Sequence, residues 1–224
     1  MGVYVSAQVA AVCDLYQGLV GQGAAQRTGA DQLHLLAERL ADGHRRRRRG
    51  AFVEIGNWHP ELTGRPENEI WSTRLGDRDY LDTVARGHGY PDWEAVSAAQ
   101  PTRPTPPFER CVDDVLAGDV EAVTGSLRAH PDLVTMRSHW GHRATLLHYL
   151  AANGVEIYRQ RVPARAPDLA RLLLEHGADV AAKANMYGGE RATLGMLLSS
   201  SHPAHAGVTA ELADVLRQAG ATAG

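Results

Sequence analysis

Residues 145–180 carry the feature that narrows the fold most. Thr145-Leu-Leu-His148-Tyr-Leu-Ala-Ala-Asn-Gly154 is followed by Asp168-Leu-Ala-Arg-Leu-Leu-Leu-Glu-His-Gly177-Ala-Asp-Val180. Each run is a short apolar helical pattern closed by glycine, the residue that ends a helix in the left-handed conformation at least cost. An upstream copy runs Val115-Leu-Ala-Gly118-Asp-Val-Glu-Ala-Val123 into Leu127-Arg-Ala-His-Pro131, and a downstream copy runs Thr193-Leu-Gly-Met-Leu-Leu198 into Val215-Leu-Arg-Gln-Ala-Gly220-Ala. One such helix pair cannot bury its leucines alone, so neighbouring pairs must stack into a solenoid. The pattern predicts an all-α chain with about three degenerate repeats, near the minimum for stability, and a helical N-terminal region packed against the first of them.

The middle copy resembles the ankyrin repeat, whose pattern T-x-L-H-x-x-A-x-x-G and L-L-L-x-x-G-A-D-V it follows closely. That resemblance implies that the His148 imidazole bridges backbone groups of neighbouring turns. It also implies a scaffold that recognises a protein partner through a concave face and a loop edge, with the segments near Arg137 to His142 and Asn185 to Gly189 as hairpin tips. The chain departs from the pattern at two insertions, Val155–Pro167 and Ser201–Gly207, expected side by side on one edge of the stack. Asn57-Trp-His-Pro60, Ala85-Arg-Gly-His-Gly-Tyr-Pro-Asp-Trp93 and Asn185-Met-Tyr-Gly-Gly189 are similar to segments of bacterial ankyrin-repeat proteins with a helical N-terminal region, a group that implies architecture and no reaction.

Four prolines between Gln100 and Pro107 mark a linker, which divides the chain into a helical region 1–99, a linker 100–107 and a repeat domain 108–224. Upstream, Val5, Val9, Val12, Leu15 and Leu19 predict one helix, and Leu33, Leu36 and Leu40 predict a second that stops at Gly43. From Ala51 to Leu75 helical periodicity fails: Phe52, Val53 and Ile55 are apolar around Glu54, and Gly56-Asn57-Trp58-His59-Pro60 then reads as an extended piece entering a turn. Helix resumes at Asp79–Val84 and again after Pro91, with Trp93 and Val96 on one face.

Twenty-three basic and 26 acidic residues leave a net charge of -3, which excludes a global electrostatic drive toward nucleic acid or anionic membrane. No apolar span near 20 residues occurs, so no membrane helix or signal peptide is expected. Cys13 and Cys111 each sit in a helical apolar pattern, as free thiols do in a reducing cytoplasm. Twenty-two of the 23 basic residues are Arg, which points to a GC-rich bacterial genome.

The rival to a protein-binding scaffold is a cofactor-free enzyme, an isomerase, cyclase or hydrolase acting on a small molecule at a site formed by the insertions and the N-terminal region. Its candidates are His202 or His205 as general base, Glu156 as orienter or acid, Tyr158 or Tyr187 as hydroxyl donor, and Arg159 or Arg161 for an anionic group. Tyr149, Trp58 and His59 complete the candidate binding surface. The pairs His139/His142 and His202/His205 have H-x-x-H spacing but lie in loop-like surroundings without a third ligand, so no metal is expected. Arg45 to Arg49 form a charge run, read either as an anion-binding patch or as a solvated loop with carboxylates nearby.

Overall fold

A computed structural model describes residues 2–21, 27–99 and 104–222. The described chain is mostly helical, with thirteen α-helices and two small antiparallel strand pairs. Six helices make up the N-terminal half: α1 (Ala7–Leu15), α2 (Gly29–Arg45), α3 (Arg49–Trp58), α4 (Glu67–Ser72), α5 (Asp77–Gly87) and α6 (Trp93–Ala98). Ser6, Thr28 and Asp92 cap α1, α2 and α6 by accepting from backbone N–H groups that a first turn otherwise leaves unpaired. Val9, Val12, Leu15, Leu33, Leu36, Leu40, Val53, Ile55 and Val84 form the first core.

Two local expectations fail here. The stretch where helical periodicity fails, Phe52 to Ile55, is the middle of α3, and of the segment expected to be extended Gly56 to Trp58 form the end of that helix while His59 is extended. The periodicity is masked because the face against α1 includes Gly50, where an added Cβ would sit 2.7 Å from Leu15 Cβ, and the buried carboxyl of Glu54. Gly43 does not stop α2, which continues to Arg45; a Cβ at Gly43 would meet Leu15 Cδ1 at 2.5 Å. Both glycines serve close helix packing, a use that sequence spacing alone confuses with termination.

In the second half, α7 (Pro106–Ala117) begins with two prolines in its first turn, where missing N–H groups cost nothing. The last two linker prolines are thus helical, and Gln100 to Arg103 lie outside the described residues. Gly118, at φ 77°, ends α7 in the left-handed conformation, and Asp119 caps α8 (Val120–Ala129). A single turn, α9 (Leu146–Tyr149), precedes the first insertion. That insertion contains a 3₁₀ turn at Ile157–Arg159 and the strand β2 (Val162–Pro163). Then follow α10 (Ala166–Glu175), the hairpin β3 (Lys183–Met186) and β4 (Gly189–Ala192), α11 (Thr193–Ser199), α12 (Ser201–His205) and α13 (Thr209–Gln218). The second insertion, expected as a loop, is mostly the short helix α12. Helices α8, α10 and α13 pack in one row and α7, α9 and α11 in another. Phe108, Leu127, Leu146, Leu169, Leu173 and Leu212 lie in the core they share.

The two halves meet along a close seam. The strand β1 (Val3–Tyr4) pairs with β2 of the insertion, with Val3 opposite Pro163 and Tyr4 opposite Val162. Trp140, Ile157 and Tyr158 of the second half belong to the N-terminal core. His142 N donates to the His88 carbonyl at 3.3 Å, and Asn185 N donates to the His142 carbonyl at 2.7 Å. Gly89, at φ 84°, faces His142 so tightly that a Cβ would lie 2.6 Å from its Cβ.

Candidate functional site

A chain of ionisable groups crosses this seam below the surface. Arg159, on the 3₁₀ turn, sits 2.7 Å from Glu109 Oε2, 3.4 Å from Glu156 Oε1 and 3.4 Å from Asp113 Oδ1. Glu109 and Asp113 come from α7, where a spacing of four residues puts both on one face. His139 Nδ1 approaches Glu109 Oε1 at 3.2 Å, and His142 Nε2 approaches Glu156 Oε2 at 3.4 Å, an ion-pair distance without hydrogen-bond alignment. Burial pushes the Glu156 carboxyl up, but the neighbouring His142 and Arg159 outweigh it and hold the group well below the usual carboxylate range. Glu109 follows the same logic: burial raises it, and Arg159 with His139 brings it below its ordinary value.

Tyr158 closes the chain on the N-terminal side. Its hydroxyl lies 3.2 Å from His88 Nε2, while His88 Nδ1 lies 2.7 Å from the Val84 carbonyl. Because a carbonyl only accepts, Nδ1 carries the His88 proton and Nε2 accepts from Tyr158. Burial pushes His88 down to about 4, against the attraction of Glu156. Above this chain lies a cavity of about 210 Å³, walled by Glu109, Asp113, His139, Trp140, Tyr158 and Arg159 from the second half and by Val20, Thr28 and Gln32 from the first. At its wall His139 is fixed through Nδ1, and its buried Nε2 has no partner. An imidazole oriented by a carboxylate on one nitrogen and free on the other is the arrangement of a general base.

The other candidates lie elsewhere. His202, Trp58 and Tyr187 line a second cavity of about 190 Å³, where the Trp58 and Tyr187 rings stack at 5.5 Å and 14°. His205 is exposed and stacks on Tyr4 at 5.9 Å. His59 is buried, and its Nδ1 accepts from Glu61 N and Leu62 N at 3.1 and 3.2 Å, a capping contact. Arg161 is exposed and reaches Cys13 Sγ at 3.3 Å. Tyr149 is fully buried under Arg159, whose Cζ lies 5.8 Å from the ring centre. His148 Nδ1 takes the Thr145 N–H at 3.3 Å, and Nε2 lies 3.2 Å from the Arg191 carbonyl. Of the predicted set, Tyr158 and Arg159 line the first cavity and Trp58, Tyr187 and His202 the second, while Glu156, Tyr149, His59, Arg161 and His205 line neither.

Glu109, Asp113, His88, His139 and His142 were not among the expected site residues. The signals present were the paired carboxylates one turn apart on α7 and the His139/His142 spacing, whose two rings meet different carboxylates. Among the described residues no group of three His, Cys, Asp or Glu side chains is placed to hold a metal, and no helix is long and apolar enough to cross a membrane. In the arginine run, Arg45 and Arg46 pair with Asp42, Arg48 with Asp14 and Arg49 with Glu67, all at the turn between α2 and α3.

Glu54, on the buried face of α3, gives a stability prediction. Burial pushes its carboxyl up to about 8 from an ordinary 4.5, so the protonated form is the folded one. A raised carboxyl stabilises the fold fully below pH 4.5, and that contribution disappears as pH rises through about 8. Glu54→Gln mimics the protonated acid. It should raise stability at pH 7 by about 2 kcal/mol, from a linkage ceiling of about 3 less the cost of new amide donors. Urea titrations at pH 7 and pH 4.5 check it, since the gain should vanish at the lower pH.

Comparison with protein-family models, with curated proteins and with solved structures finds no match to this chain.

Proposed function

We propose that the second half is a short ankyrin-like stack whose inner side is closed by the chain's own N-terminal helices around a small-molecule site, and that the protein is a cofactor-free enzyme of the proton-transfer type, such as an isomerase. The stack reading is supported by the two helix rows, the β3–β4 hairpin, the matching left-handed Gly177 and Gly220, and the bridging role of His148. The enzyme reading rests on one observation, the Glu109–His139 pair in the wall of the seam cavity, whose Nε2 is buried without a partner and would reach a substrate by a small rotation of the ring. In this scheme Nε2 takes a proton from a substrate C–H, the electron pair stays on the substrate, and the proton returns at a neighbouring atom. Glu109 stabilises the imidazolium, and Arg159, in the same cavity wall, keeps Glu109 ionised.

The test is C–H exchange in D₂O, followed by proton NMR over a panel of small hydroxy-ketones, keto acids and amino acids. Wild-type protein should wash out one compound's C–H signal, and His139→Ala should slow that exchange by at least ~100-fold, the usual contribution of a positioned base. Exchange in no member, or exchange indifferent to His139→Ala, removes the reading.

A protein partner is the second reading, and one observation favours it. An open groove of about 510 Å³ runs past Trp58, Arg86, Tyr90 and Tyr187, and Tyr187 is 56% exposed at the hairpin tip. Aromatic and Arg side chains are the residues that anchor interfaces. Capture of a partner lost with Tyr187→Ala, alongside an absence of C–H exchange, would favour it.

A further inference from the structure

The second seam cavity differs in chemistry from the first. None of its thirteen lining residues is Asp, Glu, Lys or Arg. Its walls carry side-chain amides from Gln8, Asn57, Asn153 and Gln160, hydroxyls from Ser199, Ser200 and Ser201, and the His202 imidazole, while Val9, Val53 and Ile157 lie almost fully buried behind them, so the lining is mainly polar. Part of this polar capacity is already used: Asn57 Nδ2 donates to the Val53 carbonyl at 2.7 Å, Gln160 Nε2 to the Val155 carbonyl at 2.8 Å, and Ser200 Oγ to the Ala152 carbonyl at 3.3 Å. Those bonds fix the amides, leaving the oxygens of Asn57 and Gln160 as acceptors, while Gln8 makes no side-chain hydrogen bond among the described residues. His202 Nδ1 is buried without a partner. Buried polar atoms are nearly always paired, so an unpaired one beside a cavity calls for a bonding group from outside the chain.

We propose that this cavity binds an uncharged polyhydroxylated small molecule, a free monosaccharide or a cyclitol. A charged ligand would lose hydration and meet no countercharge, a cost of several kcal/mol. Hydroxyl groups both donate and accept, and so match a lining of pre-oriented amide oxygens, the unbonded Gln8 amide and serine hydroxyls. At about 190 Å³ the space lies below the roughly 300–1,000 Å³ of drug-sized sites, which restricts the ligand to a single ring. Gln8, Asn57 and Trp58 come from one half, and Gln160, Ser200 and His202 from the other, so the ligand would bridge the seam and stabilise the fold by mass action. Nothing here depends on acid–base chemistry at His139.

Saturation-transfer NMR on the full chain, with glucose and myo-inositol against glucose 6-phosphate and glucosamine, tests the proposal. At least one neutral probe should receive saturation, and the two charged probes should not. Gln8→Leu, an exposed position that leaves the fold intact, and His202→Phe should each weaken binding at least tenfold, while Arg171→Ala on the distant α10 should leave it unchanged. The proposal is overturned if neither neutral probe binds, if the charged probes bind equally well, or if binding survives Gln8→Leu and His202→Phe. Unaltered C–H exchange in Gln8→Leu separates this site from the one at His139.

Discussion

Arg159→Met lowers the unfolding free energy by about 3–5 kcal/mol, the cost typical of breaking a buried ion pair from one side. The guanidinium is 11% exposed and stands between Glu109, Glu156 and Asp113. Burial works against its charge, and Glu109 and Glu156 outweigh that and hold it protonated. Methionine fills the space but leaves Glu156, fully buried, with only His142 for compensation. Arg161→Ala, two residues away on an exposed side chain, should change stability by no more than about 0.5 kcal/mol. Urea unfolding of both variants measures the contrast, and a loss below ~1 kcal/mol in Arg159→Met would mean that water, and not the chain, satisfies this network.

Acid lowers the stability above the pH at which ordinary carboxylates protonate. His88 and His148 are buried and each is pushed down to about 4, chiefly by burial. A histidine whose folded value is depressed stabilises the fold fully above its unfolded value, 6.5 for both, and that stability is lost as pH falls toward 4. Each contributes about 3 kcal/mol over that window, together on the order of 6 kcal/mol, comparable with the whole stability of many domains. Below it Glu156 and Glu109, both held below their ordinary values, add further loss. Over the same interval the raised Glu54 carboxyl returns about 3 kcal/mol, so urea midpoints should fall by the remainder between pH 6.5 and 4.5, more steeply in Glu54→Gln, and His148→Asn should flatten the slope. A midpoint constant over that interval would show that both imidazoles charge in place.

The helical outline was legible in the sequence where hydrophobic spacing and punctuation agreed. Leu33, Leu36 and Leu40 define α2, Leu169 and Leu173 define α10, and Asp92 with Trp93 and Val96 opens α6. It failed at α3, where Gly50 and Glu54 stand at positions a periodic pattern assigns to apolar side chains. Glycine there is a packing residue and Glu54 is neutral, neither of which a letter reveals. The site was half legible. The insertion drew attention to Glu156, Tyr158 and Arg159, but Asp113 is 46 positions from its partner Arg159, His88 is 70 from Tyr158, and His139 joins through Glu109, 30 positions from it. Long-range convergence of this kind depends on how the halves dock, and spacing along one chain carries no record of it.

Helices that touch only their chain neighbours can be lengthened, added or lost without disturbing the rest of a protein. The seam at Gly89 and Gly141 removes that freedom. A Cβ at Gly141 would lie 2.7 Å from the Gly89 carbonyl carbon, and β1 clips the very insertion that carries Arg159. Inserting or removing residues between Gly141 and Pro163 would leave the N-terminal helices with no matching backbone to rest on, so the length of that segment and the docking of the N-terminal half are fixed together.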